Sequence, residues 1–218
     1  MSRQPLLTRT ERDNLLALPT DESGLIRLST FSQQDAQLIN QHRGDASRLG
    51  FAIQLCYLRY PGRVLEDGES PYPALLKEVA KNLKVSVCQW PRYLQRETTR
   101  REHLRELYAY LGLQAFTADV NRQVVRHLKE LAIQTDQGLV LAEEMIYWLR
   151  QHNIIVPIVS VIERVCAEAR TLGTRKIYAT LNATLLPLHR QALDTLLVMH
   201  KNSKLTLLAW LRQPPGKS

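Results

Sequence analysis

Cysteine and glycine are both scarce in this chain, and neither occurs in a pattern that is typical of catalysis. The three cysteines, Cys56, Cys88 and Cys166, are odd in number, far apart and without a C-x-x-C pair. This spacing argues against a disulfide framework or a zinc site, and it favours a reducing compartment. The nine glycines form no phosphate-binding loop, and the sequence contains neither H-E-x-x-H nor G-x-S-x-G.

Long apolar segments are absent as well. The longest apolar run, residues 154–159, includes Pro157 and is far too short to span a bilayer. The N-terminus carries Arg3, Arg9 and Arg12 but no continuous apolar core of the kind found in signal peptides. The sequence therefore predicts a cytoplasmic protein that does not contact a membrane.

Titratable side chains form no recognisable catalytic set. The six histidines do not pair at the spacing of metal ligands, and the 21 acidic residues single out no carboxylate group for two metals. We therefore predict a chain without a catalytic centre or a cofactor. A self-contained nuclease is a rival hypothesis, which metal-dependent cleavage of DNA by this chain would support.

What the sequence does contain is helix-forming residues with clear start signals. Runs of Leu, Ala, Arg, Glu and Gln favour helix, and Thr8 with Glu11 forms a capping box. A boundary near residues 113–118 precedes a second helical region, in which Thr117 is the first N-cap. We predict an all-α fold with two helical modules in tandem, each with a helix-turn-helix-like hairpin. The predicted limits are 1–114, 115–200 and a truncated linker at 201–218.

The stretch Leu75–Arg105 fits a helix-turn-helix in its first half. An apolar helix face precedes a turn at residues 84–86, and Ser86 is a plausible N-cap for the second helix. Pro91 should kink or restart that second helix, so that a helix could begin near Pro91 and run on through Arg105. The alternative is an ordinary helical hairpin in a core.

Charge favours nucleic acid as the partner of this stretch. The chain has a formal net charge of +8, but residues 1–76 hold eight basic and nine acidic side chains, whereas residues 77–105 hold eight basic and three acidic ones. Arg92, Arg96 and Arg100 repeat at i,i+4 spacing and would line one face of a helix. Such a row can release counterions from a phosphate backbone. The alternative is a solvated helix face.

A second hairpin is predicted around residues 152–170. Asn153 and Ile154 would form its turn and Pro157 would open the next helix, although a plain hairpin or a strand over the apolar run also fits. After Gly173, the basic residues 174–176 are predicted to begin a further helix. Free N–H groups at such a helix start suit a phosphate.

Four segments resemble a known family over essentially the whole chain. They are RLGFAIQLCYLRYPGR at 48–63, TTRREHLRELYAYLGLQAF at 98–116, IIVPIVSVIERVCAEAR at 154–170 and LDTLL at 193–197. These segments are similar to the N-terminal DNA-binding region (DUF4158-like) of the Tn-three family of replicative transposases. The resemblance implies that the chain binds double-stranded DNA at the terminal inverted repeats of a transposon.

The resemblance also implies what lies elsewhere. In this family an RNase-H-like catalytic region with a DDE triad uses magnesium and lies far downstream. The chain would then be a non-catalytic fragment whose partners are DNA and the rest of the transposase chain. Its location would be the bacterial cytoplasm, associated with the nucleoid.

The hypothesis assigns roles to individual side chains. Residues with paired hydrogen-bonding groups or a hydroxyl are predicted to contact base edges, and these are Ser86, Gln89 and Arg92. Basic residues of the same stretch are predicted to contact phosphates, and these are Lys84, Arg96, Arg100 and Arg101. The second module is predicted to use Ser160, Arg164, Arg175 and Lys176 in the same way. The rival from another class is a helical protein-interaction scaffold with a basic face.

Overall fold

A computed structural model of the chain describes residues 5–66, 68–95, 97–199 and 205–212. Helices are the only extended regular elements in these ranges, which confirms the all-α class. Isolated β-bridges join Gln114 to Ile154 and Met199 to Thr206. The helices are α1 (Arg9–Leu15), α2 (Glu22–Ser29), α3 (Gln33–Gln41), α4 (Asp45–Arg59), α5 (Pro73–Leu83), α6 (Trp90–Leu94), α7 (Glu97–Leu111), α8 (Ala118–Leu131), α9 (Gly138–Gln151), α10 (Val159–Thr184), α11 (Pro187–Leu196) and α12 (Leu207–Leu211).

The chain divides into two compact units, residues 1–172 and residues 173–218. The first unit contains two hydrophobic cores. The first core consists of buried residues between Ile39 and Leu107 together with Ile155, and the second consists of buried residues between Val120 and Ala169 together with Leu7. The module limits predicted from the sequence divide the chain differently, and they remain a prediction.

Helix starts follow the predicted capping signals. Thr8 and Ser32 each form a capping box with the acidic residue three positions later, and Thr117 accepts a hydrogen bond from the Val120 N–H group. These side chains satisfy backbone donors that lack partners at the start of a helix. The chain therefore enters α1, α3 and α8 where the sequence indicates.

The first core is built around α4. Ala46 to Leu58 are all buried except Arg48, so this helix is enclosed on nearly every side. Such a helix needs apolar residues around its whole circumference, and the sequence provides them. At Gly50 a Cβ atom would lie 2.3 Å from ring carbons of Tyr93, which shows how closely α6 approaches α4.

An extended segment after α9 connects the two cores. α9 ends at Gln151, and Asn153, directly after the C-cap residue His152, adopts a left-handed conformation with φ 54°. The Ile155 N–H group donates to the Gln114 carbonyl at 3.0 Å, and the Val156 N–H group donates to the Gly62 carbonyl at 2.9 Å. The predicted helix after Pro157 is confirmed, because α10 begins at Val159. The residues before it are extended, with one bridge.

The N-terminal segment packs on the second core. Leu7 is buried among the side chains of α8, α9 and α10, and Arg12 forms an ion pair with Glu163 at 2.7 Å. A Cβ atom at Gly138 would lie 2.0 Å from the Leu6 carbonyl oxygen. Residues distant in sequence therefore complete this core.

The second unit includes the end of α10, α11 and α12. α10 runs without a break through Gly173, so the prediction that a helix begins at Thr174 is wrong. Within the described residues, α11 and α12 bury no side chain, and the exposed apolar side chains of this unit include Tyr178, Leu181, Leu186, Leu188, Leu193, Leu197, Val198, Met199, Trp210 and Leu211. Of the predicted linker, residues 201–204 and 213–218 lie outside the described residues. No helix in the described ranges has the length and apolarity needed to cross a bilayer.

Candidate nucleic-acid interface

The turn after α5 is a tight helix end formed without glycine. Lys84 adopts a left-handed conformation (φ 56°, ψ 41°), and its N–H group donates to the Lys81 carbonyl at 3.1 Å. The Val85 N–H group donates to the Ala80 carbonyl at 2.9 Å, as in the caps that usually carry glycine. The Lys84 side chain is exposed, so this turn presents a cation to solvent.

The second element of the hairpin consists of two short pieces. The Ser86 hydroxyl accepts a hydrogen bond from the Cys88 N–H group at 3.3 Å and caps a 3-10 turn over Val87–Gln89. Pro91 lies in the first turn of α6, so it restarts the helix as predicted. The alternative of one helix from Pro91 through Arg105 is wrong, because α6 ends at Leu94 and α7 begins at Glu97. Assignment to the helix-turn-helix class remains a prediction.

Buried aromatic side chains hold this hairpin on α4 and α7. Trp90 and Tyr93 are buried, and the Tyr93 ring stacks on His103 with a centroid distance of 5.6 Å. Burial lowers the pKa of His103 to about 4, so the imidazole is neutral at pH 7. Because Trp90 and Tyr93 point inward, Arg92 between them is exposed.

Gln89 and Arg92 lie at one hollow beside the start of α4. The hollow has a volume of about 410 Å³ and is lined by Gly44, Asp45, Ala46, Ser47, Gln89 and Arg92. Arg92 forms no ion pair within the described ranges, and Gln89 is half-buried. The structure therefore brings together two of the three residues predicted to contact bases. Ser86, the third, is exposed three residues earlier.

Sequence reasoning missed the contribution of α4 to this hollow. Gly44 is the N-cap residue of α4, with φ 85°, and it provides no side-chain hydrogen bond. The available signal was the dipeptide Gly44-Asp45 directly before the most strongly patterned helix of the first third, without a Ser or Thr cap. A helix start of this kind leaves its first N–H groups without a capping oxygen.

The predicted phosphate contacts are only partly accessible. Arg100 is buried and its guanidinium donates to the Leu65 carbonyl, which removes it from the set of surface cations. Arg101 is exposed and pairs with Glu97 on α7. Arg96 lies outside the described residues. The predicted row of Arg92, Arg96 and Arg100 on one helix face is therefore not formed, because Arg92 and Arg100 belong to different helices and Arg100 points inward.

The second predicted set is distributed along α10. Ser160 and Arg164 are exposed in the part of α10 that belongs to the first unit, and their i,i+4 spacing places them on one helix face. Arg175 and Lys176 are exposed in the part that belongs to the second unit. Since α10 is continuous, no free helix start exists at Thr174, and the predicted phosphate seat there is wrong.

Basic residues around α4 are neutralised by nearby carboxylates. Arg48 pairs with Asp45 at 2.5 Å, and Arg63 pairs with Glu69. Arg59 donates to Asp35 at 2.5 Å. Burial alone would raise the pKa of Asp35, but hydrogen bonds from Arg59 and Tyr110 lower it to about 2. These ion pairs are structural, in contrast to the hairpin, where Arg92 has no such partner among the described side chains.

Comparison with known proteins identifies relatives over the whole chain. The family DUF4158, described as a domain of unknown function, matches residues 6–169. The chain is 52% identical over 217 residues to the transposase for transposon Tn3926 of Escherichia coli, and 50% identical to the transposase for transposon Tn21 of the same species. It is 48% identical over 218 residues to the transposase for transposon Tn501 of Pseudomonas aeruginosa. In each case the match covers 100% of this chain and 22% of the relative.

The hairpin, the hollow beside α4 and these matches concern the same residues, since α4 to α7 lie within the matched range. The chain spans about a fifth of the length of the transposases that it matches. This chain belongs to the DUF4158 family and is a homologue of Tn-three family transposases.

Proposed function

We propose that this chain binds duplex DNA sequence-specifically at the terminal inverted repeats of a transposon. The observation that carries the proposal is the position of Gln89 and Arg92 at the rim of one hollow. Glutamine and arginine can each make paired hydrogen bonds to base edges in the major groove. The buried aromatic side chains behind them fix the backbone of the hairpin, which limits the conformational freedom lost on binding.

Phosphate contacts in this proposal come from the cations that remain accessible. Lys84 and Arg101 are exposed at the turn of the hairpin and on α7, respectively. Arg164, Arg175 and Lys176 are exposed on α10 and are proposed to serve the second module. Arg100 is left out because it is bonded inside the fold.

The test is a binding titration with matched DNA duplexes. The purified chain is titrated by fluorescence anisotropy against the ends of its own element and against a shuffled duplex of the same composition. We expect at least about a thousandfold preference for the element ends. Equal affinity for both duplexes, with a steep salt dependence, would instead indicate the rival scaffold whose basic face binds any polyanion.

The rest of the transposase is the second proposed partner. The relatives are several times longer than this chain, and the second unit exposes large apolar side chains such as Leu188, Leu197 and Met199. Large apolar side chains that a folded unit leaves exposed are candidates for an interface. We therefore propose that the apolar side chains of the second unit dock on the remainder of a longer transposase.

This docking is tested by mixing the two parts in solution. The chain is combined with the separately produced remainder of the transposase, and a variant with Leu188→Lys and Leu197→Lys serves as the comparison. We expect co-elution with the wild-type chain and its loss in the variant. Self-association of the wild-type chain in analytical ultracentrifugation, abolished by the same substitutions, would point to a second copy instead.

Magnesium chemistry is proposed for the remainder of the transposase and not for this chain. In the described ranges no group of three or more His, Cys, Asp and Glu side chains could hold a metal ion. Asp45, the carboxylate that lines the hollow, is paired with Arg48. No step on this chain is therefore assigned to the ion. A location in the bacterial cytoplasm, associated with the nucleoid, follows from DNA as the proposed ligand.

A further inference from the structure

We propose that the first turn of α4 holds a phosphodiester group of the DNA backbone, next to the bases that Gln89 and Arg92 contact. This inference rests on the proposed DNA-binding function and adds a site on a different helix. Its ligand class is a phosphodiester, and its donors are backbone N–H groups and one serine hydroxyl. Nothing in the charge pattern of the sequence points to residues 44–47.

The N–H groups at the start of α4 are without acceptors. The first hydrogen bond along this helix is donated by the Arg48 N–H group to the Gly44 carbonyl at 3.1 Å. The N–H groups of Asp45, Ala46 and Ser47 have no acceptor among the described residues, since Gly44 provides no side-chain cap. These three donors and the helix dipole give the end of a 15-residue helix a partial positive charge.

The Ser47 side chain provides the second observation. Ser47 is only 6% exposed and lines the same hollow. Its hydroxyl has no hydrogen-bond partner in the described part of the chain. The side chain is almost enclosed, yet its oxygen is not sealed from solvent, so the hydroxyl is open to the hollow. Ser47 therefore supplies a donor to any anion that enters the hollow.

The charge of the hollow also favours an anion. Arg92 also lines the hollow, is exposed and lacks an ion pair within the described ranges, so its positive charge favours an anion beside the base that its guanidinium contacts. Asp45 also lines the hollow and opposes an anion, but Arg48 Nη2 lies 2.5 Å from its carboxylate. Helix starts are common phosphate sites. A phosphate of a duplex suits this site because the hollow is open and Gln89 shares its wall.

A matched pair of substitutions isolates the backbone contribution. Asp45→Ala removes the carboxylate and keeps the N–H group, whereas Asp45→Pro removes both. Proline is tolerated at the first position of a helix, and Gly44 has ψ 148°, which suits a residue before proline. We expect Asp45→Ala to bind the element ends more tightly than the wild type, and Asp45→Pro to bind about tenfold more weakly than Asp45→Ala. Thermal unfolding followed by circular dichroism verifies that both variants are folded.

Ser47→Ala provides an independent test that leaves the backbone intact. It is expected to weaken binding about threefold to tenfold on both specific and shuffled duplexes, because a phosphate contact carries no base information. If Asp45→Pro fails to fold, Ser47→Ala decides the matter alone. The proposed phosphate-binding site would be overturned if Asp45→Ala and Asp45→Pro bound the duplex with equal affinity, or if Ser47→Ala left the affinity for the duplex unchanged.

A titration with inorganic phosphate separates the possible sources of the anion. The amide resonances of residues 45–47 are followed by NMR during addition of phosphate and, separately, of the duplex. Shifts with the duplex at far lower concentration than with phosphate support the proposal. Shifts with phosphate in a chain that does not bind the duplex would overturn it together with the proposed function. Duplex binding without any shift of the amide resonances of residues 45–47 would overturn the phosphate-binding site but would leave the proposed function unaffected.

Discussion

Replacing Gly50 by alanine should loosen the hairpin from α4 and reduce both stability and sequence preference. An added Cβ would lie 2.3 Å from carbons of the Tyr93 ring, whereas real Cβ atoms essentially never approach closer than 3.0 Å. The ring is fully buried and stacked on His103, so it has to move together with α6 by about 0.7 Å or more to bring the contact from 2.3 Å to 3.0 Å. Overpacking costs about 1–3 kcal/mol, and a contact this short places the cost in the upper part of that range, about 2–3 kcal/mol, of which the higher helix propensity of alanine returns about 1 kcal/mol.

The expected net loss is therefore about 1–2 kcal/mol in the free energy of unfolding, measured by urea denaturation. Because Arg92 precedes Tyr93, movement of the ring also displaces the guanidinium, and affinity for the element ends should fall more than affinity for a shuffled duplex. Tyr93→Phe is the matched control. It keeps the ring and removes a hydroxyl that lacks a partner among the described residues, so stability should be unchanged or slightly higher. A Gly50→Ala chain as stable and as selective as the wild type would refute this reasoning.

Other predictions concern individual charged groups. Arg92→Ala should cost about 1–3 kcal/mol of binding and relax sequence preference, whereas Lys84→Ala should weaken specific and shuffled duplexes alike in parallel anisotropy titrations. Equal effects of both variants would contradict this division. Arg100→Ala should lower unfolding stability by about 1–3 kcal/mol, because the Leu65 carbonyl loses its donor, and a change in DNA affinity without destabilisation would show that Arg100 meets DNA after all. The pKa of His103 is lowered from 6.5 to about 4 by burial, so the unfolded chain binds a proton first and stability should fall between pH 6.5 and pH 4, by about 2–3 kcal/mol. Urea denaturation across this pH range tests it, and His103→Gln should flatten the profile.

The sequence predicts helix ends better than it predicts which way a side chain points. Thr8, Ser32 and Thr117 cap helices through hydrogen bonds to residues three positions away, so the signal is contained in a short stretch of chain. Pro91 restarts a helix for an equally local reason. Such features depend on backbone chemistry that is independent of the rest of the fold.

Arg100 shows where this approach fails. The spacing of Arg92, Arg96 and Arg100 defines one face only if all three lie on a single helix. The helix that carries Arg92 ends at Leu94, and α7 begins at Glu97. The side of α7 that faces inward is set by its packing on the first core. The acceptor of Arg100 is the Leu65 carbonyl, 35 residues away, and no local pattern predicts this contact.

The hollow beside α4 was missed for a similar reason. Gln89 and Arg92 were singled out by residue type, but Ser47 lies between Ala46 and Arg48 in a segment that carries no recognisable motif. Its role depends on the approach of α6 to α4, which Gly50 permits. Gly173 led to a wrong prediction. A glycine before basic residues indicates a helix boundary, but Gly173 is buried in the middle of α10.

The course of the N-terminal segment affects how this protein can be dissected. Leu7 packs among α8, α9 and α10, and Arg12 forms an ion pair with Glu163. These two residues therefore complete a core whose other buried residues lie more than a hundred positions further along the chain. A fragment that begins at residue 115 would lack Leu7 and would expose part of the second core to solvent. An affinity tag fused directly before Leu7 would disturb the same contact. If residues 5–16 are deleted, the core formed by residues 120–169 is destabilised. A loss of DNA binding in such a variant would therefore not show that the deleted residues contact DNA.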